Sequence, residues 1–455
     1  MSRVLPKYFF RKNYVNQSAN RCNPLGGGLG LWLVLLLLAF AQACVMNPVT
    51  GQDELSFMSV PQEIAMGKQY YPQTTQMNNG LPAKDPALQT YVKNVGGRLA
   101  NLSHRPKVPW DFNVVNSSQV NAFALPGGKI SITRGLISKM KNEDELASVL
   151  GHEIGHVTAR HQAQQYTNQV LTGLALAGLG AVLAGEEWGQ YGVMAAGTAA
   201  SLLMLSYSRD MERQADALGY EYMTRAGYNP KGQTDTFKIF LNEHKESPSA
   251  IQAMLRSHPL TTERINTAQN RVLRTDPRFT NQPFKKRPFD RALAIQKRRS
   301  PAYAAMDKGD ALLAKKNWKA AYTQYQQAIK KFPDEGLFHT KKAMALMKGK
   351  KTKIALKAAQ KGARLSPNLY LSQHVEGLLL MQGGKFKSAT NSFARARKLL
   401  PQSPENSLYL AYCLERTGRK KQAVSFYRKA AGLAPSSWVA QKAYQRLNAM
   451  GVYKR

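Results

Sequence analysis

Four prolines, Pro333, Pro367, Pro401 and Pro435, stand 34 residues apart. A fixed period of this length means one small helical unit stacked on copies of itself. Other columns keep the same register. Leu312, Leu346, Leu380 and Leu414 form one. Gly309, Ala343, Gly377 and Ala411 form a second, Ala321, Ala355, Ala389 and Ala423 a third, and Ala328, Gly362, Ala396 and Ala430 a fourth. A bulky slot holds Tyr325, Phe393 and Tyr427, with Ala359 in its place in the second copy. Small residues let the two helices of a pair approach, and the leucines and aromatics fill the space between pairs. The prolines end each second helix. The pattern predicts an α-solenoid of four helix pairs over about 302–437, closed by a capping helix from Trp438 to Met450.

A chain of 455 residues is too long for one core. At its start, Arg3, Lys7, Arg11, Lys12 and Arg21 precede any acidic residue. An apolar run follows from Leu29 to Phe40, then AQAC. This reads as an export signal over 1–43, because the run is shorter than the ~20 residues that a membrane span needs. Two cleavages fit. One falls after Ala43; in the other, Ala41-Gln42-Ala43-Cys44 serves as a lipobox and Cys44 is lipidated. An uncleaved anchor is a third reading. Cys44 and Cys413 make no disulfide framework, and Cys413 reads as a buried residue of a repeat helix.

Lys and Arg number 64 against 28 Asp and Glu, a net charge of +36, and residues 301 onward hold 30 basic against 7 acidic residues. Such an excess calls for anionic partners. With an export signal and no base-stacking motif, the partners expected are acidic proteins, anionic lipid or lipopolysaccharide, and no nucleic acid.

Between signal and repeats the pattern is mixed. Residues 61–71 and 86–102 read as helices. WDFNVVNS and NAFALPGGKISITRG read as strands, with Pro126-Gly127-Gly128 as the turn between two of them. Residues 142–166 and 207–226 are helical in pattern. Residues 170–205, rich in Ala, Gly and Leu, read as a helical hairpin beside the site or against a membrane surface, with a membrane span as the alternative. A basic stretch, 281–301, reads as a linker.

The chemistry concentrates in GHEIGHVTARH, residues 151–161. His152 and His156 are four apart on a helix, so both imidazoles project from one face. That spacing suits two ligands on one zinc. Glu153, about 100° further round, reaches the open position, where it would act as general base on a water whose pKa the metal lowers to ~7. His161 would lie about 140° off the metal face if the helix continued. It reads instead as a capping or hydrogen-bonding histidine. For a third ligand, SRDMERQADALGYEYM offers Glu212, with Asp216 four residues later and the small Ala215 and Ala217 beside it. Read alone this is a solvated Glu/Asp/Arg face. If its helix crosses the first, Glu212 falls on the metal, and Asp216 either holds a histidine's other N–H or moves protons.

Two resemblances follow from these residues. The 34-residue unit resembles the tetratricopeptide repeat. NPVTG, NAFALPGGKISITRGLI, GHEIGHVTARH, SRDMERQADALGYEYM and RSHPLTTERI, in that order over about 47–270, resemble the M48 metallopeptidases. The second resemblance implies a gluzincin with one Zn2+ per chain on His152, His156 and Glu212, Glu153 as catalytic glutamate, and Asp216 as a supporting, proton-donating residue. The fold class expected is mainly α: an α+β protease domain with a small sheet over 44–280, the linker 281–301, then the solenoid over 302–451. Asn121, Ala122, Phe123 and Ala124 are the candidate edge strand for substrate, with a plain core strand as the alternative. His258 and Arg264 are candidates for oxyanion stabilisation; His258 as a direct ligand that silences the site, or as a merely exposed residue, is the alternative. The expected function is a zinc metalloendopeptidase of the periplasm, associated with the outer membrane. It would cleave unfolded or misassembled outer-membrane and exported proteins and would work with the outer-membrane assembly machinery. A non-proteolytic chaperone or scaffold acting through the basic repeats is the alternative.

Overall fold

A computed structural model describes residues 44–82, 85–184 and 206–452. Residues 1–43, expected to be an export signal, and residues 185–205 of the Ala/Gly/Leu-rich stretch lie outside them. Among the described residues no helix is long and apolar enough to cross a membrane.

The chain opens with a two-stranded antiparallel ribbon, β1 (Cys44–Met46) and β2 (Asp53–Leu55), in which Cys44 is exposed. Helix α1 (Val60–Met77) follows, entered through a capping box of Ser59 and Gln62. Next is α2 (Pro86–Ala100), capped by Asp85. Three strands then form one sheet, β3 (Asp111–Val115), β4 (Ala122–Leu125) and β5 (Lys129–Thr133). Their order is β3-β5-β4, with β3 parallel and β4 antiparallel to β5, so β4 is an edge. The turn between β4 and β5 places Gly127 and Gly128 at φ 71° and 80°. A tight hairpin requires that left-handed backbone, and glycine supplies it without strain.

After the short α3 (Arg134–Ile137) comes α4 (Glu143–Thr158), which carries the HEIGH motif. The Asn142 side chain accepts from Glu145 N, and Glu143, Asp144 and Glu145 fill the first turn, where acids suit the helix dipole. The single helix expected over 142–166 is in fact two. Arg160 has φ 58°, and α5 (His161–Ala184) starts in a new direction. Then come α6 (Arg209–Arg225), α7 (Lys231–Glu246), α8 (Pro248–Ser257) and α9 (Thr262–Leu273). The sheet, α2, α4 and α6 enclose one core that includes Val92, Phe112, Ile130, Leu150, Ile154 and Tyr222.

The stretch expected to be a linker is structured. After α10 (Pro277–Thr280), α11 (Lys286–Ala292) lays Phe289 into the core of the preceding domain, and Leu293 follows it there. The chain then enters α12 (Ala294–Ala314), which is already the first repeat helix.

The solenoid continues as α13 (Trp318–Lys331), α14 (Gly336–Lys348), α15 (Thr352–Leu365), α16 (Tyr370–Gln382), α17 (Phe386–Leu399), α18 (Pro404–Arg416), α19 (Lys420–Leu433) and the cap α20 (Trp438–Ala449). Small and bulky columns meet as the pattern requires. A Cβ on Gly309 would lie 2.6 Å from the Tyr325 ring, and one on Gly377 would lie 2.7 Å from the Phe393 ring. The solenoid also touches the preceding domain. Arg134 makes a bidentate pair with Asp307 at 2.9 and 3.1 Å and stacks over the Tyr303 ring, while Gln76 bonds Asn368 O and Tyr370 N.

Candidate metal centre

The crossing of α4 and α6 builds the site. The two backbones touch because the contact face is small. A Cβ on Gly155 would lie 2.9 Å from Ala215 O, and one on Gly219 only 2.7 Å from His152 N. Ala215 is part of this crossing as expected. Ala217 is exposed and takes no part, and its place is filled by Gly219. Such close approach carries Glu212, fully buried, against the histidines. Its carboxylate is 3.3 Å from His156 Nε2 and 3.6 Å from His152 Nε2.

The tautomers follow from the partners. Asp216 Oδ1 accepts from His152 Nδ1 at 2.9 Å, which leaves the Nε2 lone pair of His152 free. His161 Nε2 donates to Gln214 Oε1 at 2.8 Å, so its Nδ1 is an acceptor, 2.8 Å from His156 Nδ1. Burial pushes the His161 pKa down to about 4, so the ring is neutral and accepts the His156 proton. His161 therefore stands outside the cluster of possible metal donors, though not by the continuous-helix argument, and it fixes the His156 ring. The helix break at Arg160 turns it inward. Burial also holds His156 well below its usual pKa, against the pull of Glu212.

Two Nε2 lone pairs thus face each other 3.0 Å apart beside a carboxylate. That arrangement is repulsive without a cation between them. Zinc bonds of ~2.0–2.1 Å would place two tetrahedral ligands roughly 3.3 Å apart. One nitrogen or oxygen each from His152, His156, Glu212 and His258 lies within 4.8 Å of the others. The donor set of neutral imidazoles and carboxylate suits zinc.

His258 is drawn into the group. Its Nδ1 is 2.9 Å from Glu212 Oε1 and 3.3 Å from His152 Nε2. Burial lowers its pKa, but Glu212 and Glu153 more than offset that and raise it overall. It is buried, not the exposed residue that the sequence also allowed. Arg264 departs from its expected role. Its Nε and Nη2 hold Asp216 at 2.7 and 2.8 Å, and its Nη1 reaches Glu212 at 2.6 Å and Pro259 O at 2.8 Å. A guanidinium committed in this way clamps carboxylates and is not aimed at a reacting oxygen. Asp216 departs too. Burial raises its pKa, but Arg264 more than offsets this and leaves it below the usual range. It is an ionised acceptor with no proton to give.

Glu153 is buried and its Oε2 has no hydrogen-bond partner. Burial raises its pKa, which suits a general base working near neutrality. The Ala124 N–H donates to it. The outward edge of β4, shared by alternate residues Ala122 and Ala124, therefore faces Glu153. Asn121 precedes that strand, and Phe123 points to the opposite face. A narrow cleft opens beside Glu153, between Ala122, Leu136, Val149, Phe237, Phe240 and Met254. Tyr207 was not singled out from the sequence. Its ring stacks on His156 at 3.8 Å.

Residues 86–272 match Peptidase family M48, and residues 289–369 and 374–437 match the tetratricopeptide repeat. The chain therefore carries an M48 metallopeptidase domain followed by a tetratricopeptide solenoid. It is 32% identical over 247 residues to the Beta-barrel assembly-enhancing protease of Escherichia coli O157:H7, covering 52% of this chain and 50% of that one. The protein of the same name from Yersinia pestis is 34% identical over 239 residues, covering 51% and 48%. The Mitochondrial metalloendopeptidase OMA1 of Schizosaccharomyces pombe is 28% identical over 222 residues, covering 48% and 63%. The chain spans about half the length of the first two relatives.

Proposed function

We propose that this protein is a zinc metalloendopeptidase of the periplasm that cleaves misassembled outer-membrane or exported proteins. The observation that carries the reading is the convergence of His152, His156 and Glu212 beside the unpartnered Oε2 of Glu153. When bound to those three residues, zinc supplies Lewis acidity, which polarises a peptide carbonyl and acidifies water. An extended substrate adds to the outer edge of β4, which gives binding tolerant of sequence. An apolar substrate side chain fills the cleft beside Val149. Glu153 takes the proton of the attacking water and passes it to the leaving amine. Asp216 and His161 hold the two imidazoles by their Nδ1 atoms, and Arg264 keeps Asp216 ionised. Substrate entry requires His258 to give up its place beside Glu212.

The relatives' printed name supports a role in outer-membrane assembly. The solenoid favours a second, compatible activity as a chaperone or adaptor for unfolded outer-membrane proteins and their assembly machinery. One variant separates the two. Glu153→Gln is expected to retain zinc and to lose proteolysis of a denatured substrate by roughly 10²–10⁴-fold. Undiminished cleavage sinks the mechanism. Full rescue of barrel assembly by the same variant assigns that role to the repeats.

A further inference from the structure

The solenoid has two edges, and they differ. One is the row of turns that carry Pro333, Pro367 and Pro401. It faces the protease domain, where Gln76 bonds the 366–369 turn and Pro72 and Leu81 line a recess shared with Leu337 and Leu369. The other edge lies across helices of 14 residues, ~20 Å away. Lys319, Lys353, Lys387 and Lys421 stand on it, one per repeat and 34 residues apart, all exposed. Within the four turns at 315–321, 349–355, 383–389 and 417–423 there are ten lysines, one arginine and no acidic residue.

Local stability does not explain this ladder. Each of the four lysines is the second residue of its helix. That is the positive end of the helix dipole, where cations are disfavoured, and none of those first turns holds an acid. Nor are acids held in reserve nearby. Asp307, Asp310, Glu335, Glu376 and Glu415 are engaged by Arg134, Lys341, Tyr303, Arg395 and Arg446. Among the described residues no carboxylate pairs with the four rungs. Lys319 lies over the Trp318 ring, 5.9 Å away.

We propose that this lysine edge is a docking surface for an anionic phospholipid bilayer. Charge complementarity and residue choice point to that occupant. Arginine is the residue that grips a particular carboxylate or phosphate in a fork. Lysine is a hydrated point charge on a flexible stem, suited to many phosphates of no fixed geometry. Ile354, 55% exposed beside Lys353, adds an apolar side chain at the same level. The edge faces away from the protease domain, so docking leaves the catalytic cleft free. This inference does not depend on the catalytic reading.

The test is flotation of the full chain with vesicles of phosphatidylcholine and phosphatidylglycerol, and with vesicles of phosphatidylcholine alone. Binding is expected only to the first. Each lysine at an anionic surface is worth roughly fivefold in partitioning, so Lys319→Gln, Lys353→Gln, Lys387→Gln and Lys421→Gln together lower it on the order of several hundredfold. A matched variant removes four cations away from those turns: Lys330→Gln, Arg364→Gln, Lys398→Gln and Lys429→Gln. It is expected to keep most of the binding. A melting midpoint of the ladder variant at or above the parent's shows that the solenoid is intact, since the four cations oppose their helix dipoles. Equal loss in both variants means net charge alone and overturns the proposal, as does equal binding to both vesicles. If the ladder variant loses binding to soluble poly-glutamate but not to vesicles, the edge serves an acidic protein segment and the lipid assignment fails.

Discussion

Replacing His161 by alanine tests the tautomer chain. In the structure His161 accepts the Nδ1 proton of His156 at 2.8 Å, in a place where both rings are buried. The variant leaves that N–H without a partner only when zinc holds His156 Nε2. Without metal, the proton can move to Nε2 and face Glu212, 3.3 Å away. The penalty therefore falls on the zinc-loaded form. A buried donor left unsatisfied costs about 1–3 kcal/mol. At 1.4 kcal/mol per decade that predicts zinc affinity lower by about 10–100-fold, the range usual for lost partners of ligating histidines. Chelator competition measures the affinity, and thermal melting of the metal-free protein serves as the control. The lost Gln214 bond and the cavity lower the midpoint of both forms; we expect zinc binding to weaken beyond that shared loss. Affinity within about twofold of the parent would falsify the chain of donors.

Three shorter predictions follow from the same geometry. Gly219→Ala puts a methyl 2.7 Å from His152 N, so the helices must separate; destabilisation of roughly 1–3 kcal/mol, with loss of bound zinc, should appear in melting and metal analysis. Val149→Phe fills the apolar cleft one turn before Glu153; it should lower kcat/KM by about 10–200-fold for substrates with a large apolar side chain at the cleavage site, and spare those with a small one. Burial holds His339 and His374 below the usual histidine pKa, with Pro333 O and Asn406 pulling the other way. Both therefore add stability that is complete above their unfolded pKa of about 6.5 and lost as pH falls below it. Solenoid melting should drop on acidification, and His374→Gln should make the drop shallower.

The repeats were legible because their information is local and periodic. Each proline, small residue and aromatic sits where a 34-residue unit needs it, and the observed helices start in that register. The M48-type assignment was legible for the same reason, since His152 and His156 project from one face of one helix. What the sequence hid depends on contacts between distant segments. The inward turn of His161 needs the backbone break at Arg160, and nothing in GHEIGHVTARH announces a left-handed arginine. Arg264 looked free to meet substrate because a sequence does not say which anion an arginine faces. The basic run at 281–301 concealed Phe289 and Leu293, whose four-residue spacing was the available sign of a buried helix face. Gly219 was overlooked beside the more obvious alanines.

The break at Arg160 has a consequence for dissecting the protein. Arg160 Nε bonds Glu63 at 2.6 Å, and Arg105 Nη1 bonds the other Glu63 oxygen at 2.9 Å. Arg160 Nη2 also reaches Met58 O at 2.6 Å. The residue that aims His161 is thus moored to chain upstream of Pro86, where the family match begins. A fragment trimmed to that match would keep every ligand and lose the mooring. It is expected to bind zinc more weakly than a fragment that starts at Cys44, which makes the smallest competent unit longer than the conserved one.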